Sequence, residues 1–287
     1  MGILLLSASL YAEAMPAAGT PEVFDSLTVE ATAIDVDLYG NIYLLDGERG
    51  VLTILDPAGK FVGTMGGAGW ENSQFDRPAG LWARNGIDVF VADYGNHRIQ
   101  RFDRSLSYVS TLFTREDDTP EKRFGYPTDV TLSRLGDLFV CDGENQRLIQ
   151  VNRDGDVVRS IGDFSAGKGR LTAPCRVDIG AQDRLYVLDG RRIVVFDIFG
   201  NYVREVGLPD DPLLLWADDD GLLVADKGTL YVFDRDERPV VTIPIQVLCS
   251  GRNLKAIAAG SGRMFLLAGE SLIVRSDPRR TGDNKNE

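Results

Sequence analysis

The chain has 287 residues, a formal net charge of −12, 44% hydrophobic residues and 31 glycines. This composition is typical of a globular protein with a continuous apolar core. The negative charge argues against a nucleic-acid partner, because such proteins neutralise phosphates with clustered Lys and Arg, and it argues equally against binding to anionic lipid surfaces.

The first 14 residues have the pattern of a secretory signal peptide. Residues 3–11 form a short apolar stretch, and Ala12, Glu13 and Ala14 fit a small-x-small cleavage site, although a basic n-region is missing. We therefore expect a periplasmic or secreted protein, with a buried N-terminal strand in a cytoplasmic protein as the alternative. No later segment is long and apolar enough to predict a membrane span.

One short phrase recurs six times along the chain, with spacings of 37 to 49 residues. Alternating apolar residues lead to an Asp and a turn, as in GNIYLLD (40–46), DVFVAD (88–93), DLFVCD (137–142), RLYVLD (184–189), GLLVAD (221–226) and the degenerate RMFLLAG (263–269). Further short apolar strands flank each copy, and the strand before it begins near a Pro in four units. Four-stranded units at this spacing predict the radially packed sheets of a β-propeller.

The two ends of the chain are expected to close the ring. The sixth unit has no fourth strand after Asp277, whereas residues 22–28 precede the first unit without a partner. Pairing them would remove two exposed sheet edges. We therefore predict one all-β, six-bladed propeller domain over residues 21–278, with the last blade completed by an N-terminal strand, and a polar tail at 279–287. Because a closed ring leaves no free sheet edge for pairing with another chain, we expect a monomer.

Two of the units resemble NHL repeats. They are FDRPAGL (75–81) with VADYGNHRIQ (91–100), and FGYP (124–127) with VCDGENQRLI (140–149). The resemblance is strong over about residues 75–205, and it implies the six-bladed NHL/TolB-like fold. It implies little about activity, since propellers of this family carry unrelated functions.

Two Asp–Arg pairs recur at the same place in these repeats. They are Asp93 with Arg98 and Asp142 with Arg147. Arg side chains suit carboxylate and phosphate ligands, so a substrate clamp is one interpretation. We favour a structural ion pair across each tight turn, because a catalytic residue is rarely needed in every blade.

The metal-binding residue types are sparse. His97 is the single histidine, whereas the amidating lyases that resemble this family depend on zinc and several histidines. We expect His97 on an exposed turn. Cys141, Cys175 and Cys249 lack CxxC spacing, which favours small buried side chains over a metal or redox cluster. We therefore expect no metal site and no cofactor.

The channel mouth is the place where propellers resembling lactonases hold a calcium-like ion. Two residues after each blade-opening Pro, this chain has Gly80, Asp129, Arg176 and Leu214, with Lys255 and Ala33 near the equivalent positions of the sixth and first units. One carboxylate beside two cations is a poor site for a divalent ion. Asp129, Arg176 and Lys255 instead predict either a polar binding floor, extended by Glu48, Glu144 and Glu270 on adjacent turns, or a salt-bridged plug.

Long connections on the same face carry side chains that are typical of interfaces. Trp70 lies in the connection 66–77, and Arg123 lies in the connection 114–126. We therefore expect a non-catalytic binding or scaffolding module that recognises a protein, peptide or cell-envelope component through this face. The alternative is a metal-dependent hydrolase or lyase of the lactonase or amidating-lyase type. An RNA-binding propeller would require a basic loop face.

Overall fold

The computed structural model describes residues 22–24, 30–117, 119–208 and 211–280. This part of the chain folds into six four-stranded antiparallel sheets, the blades of a β-propeller. Its helical structure consists of a five-residue helix, α1 (Ile245–Cys249), and three single 3₁₀ turns. The prediction of an all-β six-bladed propeller is confirmed.

The strands follow the chain from blade to blade. The first strand, β1 (Glu22–Phe24), belongs to the last blade. Blade 1 contains β2 (Ala33–Val36), β3 (Ile42–Asp46), β4 (Val51–Leu55) and β5 (Phe61–Gly66). Blade 2 contains β6 (Pro78–Trp82), β7 (Asp88–Asp93), β8 (Arg98–Asp103) and β9 (Tyr108–Leu112). Blade 3 contains β10 (Pro127–Leu132), β11 (Leu138–Asp142), β12 (Arg147–Val151) and β13 (Val157–Ile161). Blade 4 contains β14 (Pro174–Gly180), β15 (Arg184–Asp189), β16 (Arg192–Phe196) and β17 (Tyr202–Val206). Blade 5 contains β18 (Leu214–Asp218), β19 (Gly221–Ala225), β20 (Thr229–Asp234) and β21 (Pro239–Pro244). Blade 6 contains β22 (Leu254–Gly260), β23 (Arg263–Ala268) and β24 (Ser271–Ser276), together with β1.

The ring is closed by the two ends of the described chain. Strand β1 pairs antiparallel with β24, with Glu22 opposite Val274 and Phe24 opposite Leu272. The predicted completion of the last blade by an N-terminal strand is confirmed for these three residues, whereas residues 25–28 lie outside the described part. A blade therefore contains strands separated by most of the sequence.

Within a blade we call the strands A to D from the axis outward, because the A strands of neighbouring blades contact one another around the ring. Successive antiparallel strands place their connections on alternate ends. The B–C turns and the connections between blades therefore lie on one face of the disc, the loop face. The A–B and C–D turns lie on the opposite face, the turn face.

The core consists of apolar layers between adjacent blades. In β7, Phe90 and Ala92 pack toward blade 3, whereas Val89 and Val91 pack toward blade 1. Strand B is therefore buried on both sides, which explains why each repeated phrase is almost continuously apolar. Each fully buried Phe or Val of this kind contributes about 1.5–3 kcal/mol relative to exposure.

The chain beyond β24 adds a clamp on the turn face. The side chain of Arg279 is 1% exposed and contacts Asp218 of blade 5 at 2.7 Å and Asp277 at 2.6 Å. Arg280 adds a contact with Asp220 at 2.6 Å. Both arginines fall in the segment that the sequence assigned to a polar tail, and in the structure they contact blade 5.

The closing strand generates a prediction about stability. The Phe24 ring packs on the core cluster shared by blades 5, 6 and 1 and lies against Gly59 of blade 1, whereas Phe61 on a D strand is 60% exposed. We expect Phe24→Ala to reduce the free energy of unfolding by about 2–3 kcal/mol, which lowers the melting temperature by about 5–8 °C. Calorimetry of both variants is the measurement. Equal melting temperatures for Phe24→Ala and the control Phe61→Ala would contradict this account of ring closure.

Candidate functional site

The repeated Asp at the end of strand B ties two connections of the loop face together. Asp93 accepts hydrogen bonds from the backbone N–H of Asp76 at 2.8 Å, from Arg98 Nε at 2.8 Å and from Asn96 Nδ2 at 2.9 Å. Burial raises the pKa of Asp93, and the bond from Arg98 opposes this shift. With its side chain 0% exposed, Asp93 is fully occupied by internal partners.

Blade 3 repeats the arrangement. Asp142 accepts from Gly125 N–H at 3.3 Å and from Arg147 Nε at 3.1 Å. In blade 4, Asp189 accepts from Ala173 N–H at 2.6 Å and from Arg192 Nε at 3.0 Å. These contacts match the structural interpretation of the Asp–Arg pairs, because each Asp links an incoming connection to the B–C turn beside it.

The channel positions predicted from the repeat converge at the axis. Ala33, Asp129, Arg176 and Leu214 line one small cavity of about 50 Å³. Arg176 Nη1 lies 3.7 Å from Asp129 and donates to the carbonyl of Ala79 at 3.2 Å. Gly80 allows the close approach of blade 3, since a Cβ there would lie 2.5 Å from the Asp129 carboxylate.

The sixth channel position is Ala256 rather than Lys255. The pairing of β22 with β23 shifts between Leu254 and Ala256, so that Ala256 lies opposite Leu267 and lines the cavity. The same irregularity lies between Pro78 and Gly80, between Pro127 and Asp129, and between Pro174 and Arg176. Leu254 therefore stands where those blades have the opening Pro, and the position two residues further on is Ala256. Lys255 is therefore not part of the cavity lining.

A second set of charged residues fills the channel nearer the turn face, and the sequence analysis missed it. Arg84 donates from Nη2 to Asp178 at 2.7 Å and from Nη1 to the carbonyl of Ala217 at 2.6 Å. Its Nε lies 3.4 Å from Asp35, and its guanidinium lies 3.5 Å from the centre of the Trp216 ring. Arg84 thus crosses the axis from blade 2 to blades 1, 4 and 5. The available signal was the isolated Asp in the apolar strands AIDV and PCRVDIG.

The inner-strand carboxylates also bind the next blade. Asp35 accepts from Ala83 N–H at 2.7 Å, Asp129 from Val177 N–H at 3.1 Å and Asp178 from Ala217 N–H at 2.8 Å. Burial raises the pKa of Asp35 and of Asp129 to about 6, with Arg84 and Arg176 opposing the respective shifts. Burial likewise raises the pKa of Asp178.

This arrangement closes the channel. Two arginines and three carboxylates occupy its length, and they satisfy one another and the backbone. In the parts of the chain that the structure describes, no group of three His, Cys, Asp or Glu residues is arranged to hold a metal ion. The geometry is that of a salt-bridged plug, beside which the described residues leave a cavity of about 50 Å³.

His97 is buried, which corrects the expectation of an exposed turn residue. It occupies the B–C turn of blade 2 with φ of 57°, but its side chain packs edge-on against Tyr126 with ring centres 4.1 Å apart. Its Nδ1 accepts a hydrogen bond from Tyr126 N–H at 3.3 Å. Burial lowers the pKa of His97, and nearby Arg115 adds to that shift.

The cysteines differ in their surroundings. Cys141 and Cys249 are buried and unpaired, as expected of small apolar side chains, whereas Cys175 is exposed and unpaired. Burial raises the pKa of the Cys141 thiol well above its ordinary value.

The loop face carries the remaining predicted site residues. Trp70 is 54% exposed, packs edge-on against Phe113 at 5.9 Å and lies 5.0 Å from the Arg98 guanidinium. Arg123 is exposed and donates from Nε to the carbonyl of Asp117 at 2.6 Å. Phe75 and Phe124, on the same connections, are buried under the loops.

The acidic residues of the loop face remain separate from the plug. Glu48 and Glu144 are exposed on B–C turns, and Tyr94 Oη donates to Glu144 at 3.1 Å. The most exposed aromatic residue among those described is Phe164, at 85%, in the connection between blades 3 and 4. Phe164 could not be predicted as a site residue, because the local sequence pattern does not distinguish an exposed aromatic residue in a loop from a buried one.

Comparison with known proteins agrees with this architecture. Residues 124–151 match the family model "NHL repeat". The chain is 26% identical over 196 residues to human NHL repeat-containing protein 3, covering 62% of this chain and 54% of that protein. It is 29% identical over 147 residues to Protein brain tumor of Drosophila melanogaster, covering 50% of this chain and 14% of that protein. The chain thus spans about half or less of these relatives.

The similarity to solved structures extends over nearly the whole propeller. A streptogramin B lyase structure superposes with a TM-score of 0.65 at 12% identity, covering 90% of this chain and 97% of that one. At this identity the similarity shows the fold alone. Fold and site together define a six-bladed β-propeller with a closed axial channel. The match at residues 124–151 confirms the resemblance to an NHL repeat in that unit. In the described residues, no helix has the length and hydropathy needed to span a bilayer.

The repeated Asp–Arg pairs generate a prediction about stability. We expect Asp93→Ala to lower the free energy of unfolding by about 3–5 kcal/mol, because Arg98 would remain buried without its carboxylate. The matched control is Asp226→Ala in blade 5, where Tyr231 takes the position of the arginine and donates to Asp226 at 2.8 Å. That change should cost only about 1–2 kcal/mol. Urea unfolding of both variants measures the difference, and equal losses would contradict the assigned role of Asp93.

The plug generates a prediction about pH. The folded-state pKa of Asp129, about 6, lies above its ordinary value of 3.8, so the folded protein binds this proton more tightly than the unfolded chain does. Protonated Asp129 therefore contributes its full stabilisation below pH 4, and this contribution is lost as the pH rises through 6. Relative to Asp129→Asn, the wild type should lose up to about 3 kcal/mol of stability between pH 4 and 7.

The control for this measurement is Asp163→Asn. Hydrogen bonds from Ser165 lower the pKa of Asp163, so its contribution to stability changes mainly below pH 4. Its stability difference from the wild type should stay constant from pH 4 to 7. A constant difference for Asp129→Asn as well would show that Asp129 is not buried as described.

Proposed function

We propose that this propeller is a non-catalytic binding or scaffolding module that recognises a protein or peptide through its loop face. The observation that carries the proposal is the closed channel. Arg84 and Arg176, with their carboxylate partners, leave a cavity of only about 50 Å³ at the axis. We therefore assign recognition to the loop face.

The loop face has the side chains that recognition requires. Trp70 and Phe164 are exposed aromatic residues on connections between blades, and Arg123 is exposed nearby. Aromatic and Arg side chains dominate the binding energy of protein interfaces. Exposed Glu48 and Glu144 lie among these residues, which supports a protein or peptide partner over a polyanion. In this proposal Asp129 and Arg176 hold the scaffold together rather than contact the partner.

A metal-dependent hydrolase or lyase remains the second candidate, because the fold is shared with a streptogramin B lyase. Such an enzyme would need a metal and an open axial site. Elemental analysis of protein purified without chelators tests this candidate. Stoichiometric zinc or calcium would favour the enzyme over the binding module.

Export is part of the proposal. It rests on the apolar residues 3–11 and the small-x-small pattern at 12–14, which lie outside the described residues. Fractionation of cells expressing the full chain, with sequencing of the mature N-terminus, is the test. An intact N-terminus on cytoplasmic protein would contradict it.

The loop face generates a prediction about partner binding. A photo-crosslinking amino acid at position 164 should capture a partner in the native compartment. The same amino acid at position 199 should not, because Phe199 lies on the turn face although it is 65% exposed. The captured partner is then identified and purified, and its affinity for the protein variants is measured by calorimetry.

Phe164→Ala or Trp70→Ala should weaken that affinity by about tenfold, whereas Phe199→Ala should change it by less than about twofold. The two Phe variants remove the same side chain from opposite faces. Equal losses, or crosslinking from position 199 alone, would place the interaction elsewhere. An RNA captured from position 164 would replace the protein partner in the proposal.

A further inference from the structure

A large groove opens on the turn face between blades 2 and 3. Its volume is about 740 Å³, which is within the range of sites that enclose a drug-sized molecule. Its apolar walls are formed by Trp82, Phe90 and Leu112 of blade 2, and by Leu132, Leu138 and Val151 of blade 3. It lies on the face opposite the proposed protein-binding surface, so it does not depend on that function.

The groove exists because one turn lacks a side chain. In blades 1 to 5 the five-residue C–D turn lies over the junction with the preceding blade. The fourth residue of this turn points into that junction. Leu106 packs into the blade 1–2 core from this position, and Glu237 pairs there with Arg184 at 2.6 Å. The equivalent residue of blade 3 is Gly155, and a Cβ at Gly155 would meet nothing within 4 Å.

The other glycines at this turn position are covered by neighbouring side chains. A Cβ at Gly59 would lie 2.3 Å from the Phe24 ring, and a Cβ at Gly200 would lie 2.8 Å from Ile161. Of the five C–D turns compared, the one in blade 3 alone leaves this space open. The open junction is therefore a specific feature of blades 2 and 3.

The groove is lined by four arginines and four aspartates, and one of these arginines, Arg153, has no ion-pair partner among the described residues. Most of its carboxylates already have Arg partners, in the pairs Asp88–Arg101, Asp219–Arg134 and Asp218–Arg279. Arg153 is exposed and makes no hydrogen bond or ion pair with any residue that the structure describes. Its aliphatic stem lies beside Gly136, which holds the side chain at the rim.

Two other features of the rim bear on its charge. Arg101 is 43% exposed and uses Nε and Nη2 for Asp88, which leaves Nη1 for a ligand. The exposed Asp154 is the acidic residue that opposes Arg153. An apolar cleft with forked Arg donors at its edge suits an apolar body that carries a carboxylate or similar anionic group.

We propose that this groove binds an amphipathic organic anion. The apolar body lies between Phe90, Leu112 and Leu138, and the anionic group accepts hydrogen bonds from Arg153 and Arg101. Binding is reversible and involves no covalent step.

Two matched probes test the proposal on the folded protein. 8-Anilino-1-naphthalenesulfonate carries the aromatic body and an anionic group, and N-phenyl-1-naphthylamine is the same body without the sulfonate. Fluorescence titration of both gives their dissociation constants. We expect saturable binding of one molecule of either probe per chain, with the anionic probe bound about fivefold more tightly because it alone engages the arginines.

Variants separate the apolar body from the charge. Gly155→Leu, which places in blade 3 the residue that blade 2 has at position 106, should weaken both probes at least about tenfold by filling the groove. Gly155→Ala has the same backbone constraint, since φ is 90°, but leaves the space open, so both probes should bind within about twofold of wild type. Ser110→Trp fills the groove from the exposed strand β9 if Gly155→Leu proves unstable.

The charge is tested at the rim. Arg153→Glu should weaken the anionic probe by about tenfold and leave the neutral probe nearly unchanged, whereas Asp154→Asn should strengthen the anionic probe alone. Arg104→Glu is the control, because Arg104 occupies the same turn position in blade 2 away from the groove. Probe binding that survives both Gly155→Leu and Ser110→Trp would overturn the site, and equal effects of Arg153→Glu and Arg104→Glu would overturn its anion preference.

Discussion

The structure depends on the packing of each sheet between two neighbours. A four-stranded blade whose second strand is apolar on both faces cannot bury that strand by itself, and every blade therefore depends on the blades beside it. A closed ring gives each of the six blades a neighbour on both sides. The charged plug is a consequence of the same geometry, because six inner strands converge on the axis and bring Arg84 and Arg176 together with their carboxylate partners.

The sequence predicted what the repeat itself encodes. The phrase ending in Asp recurs because each blade needs the same link between turn and connection, and Asp93 and Asp142 perform it with equivalent partners. Counting from the blade-opening prolines also brought Asp129 and Arg176 together correctly. Lys255 was misplaced because the sixth blade has Leu254 where blades 2 to 4 have the opening Pro, so the local sequence gave no residue from which to count.

Other features lay beyond sequence reasoning because they depend on distant residues. Arg84 is bound by groups 94 and 133 residues away, so its neighbours in the chain give no indication of its role at the axis. The groove between blades 2 and 3 results from a missing side chain at Gly155, and a glycine in a turn is ordinarily explained by the turn. The loop face presents the exposed Trp70 and Phe164, and the turn face presents the groove together with the exposed Phe199.

The pairing of β1 with β24 has a consequence for biosynthesis. Glu22 precedes Val274 by 252 residues, so a nascent chain holds its closing strand unpaired until β24 has left the ribosome. Blades 1 to 5 can stack in order as they emerge, but the ring stays open until then. Closing so long a loop carries an entropic cost that grows only slowly with its length. The late pairing of β1 therefore delays folding more than it destabilises the folded protein.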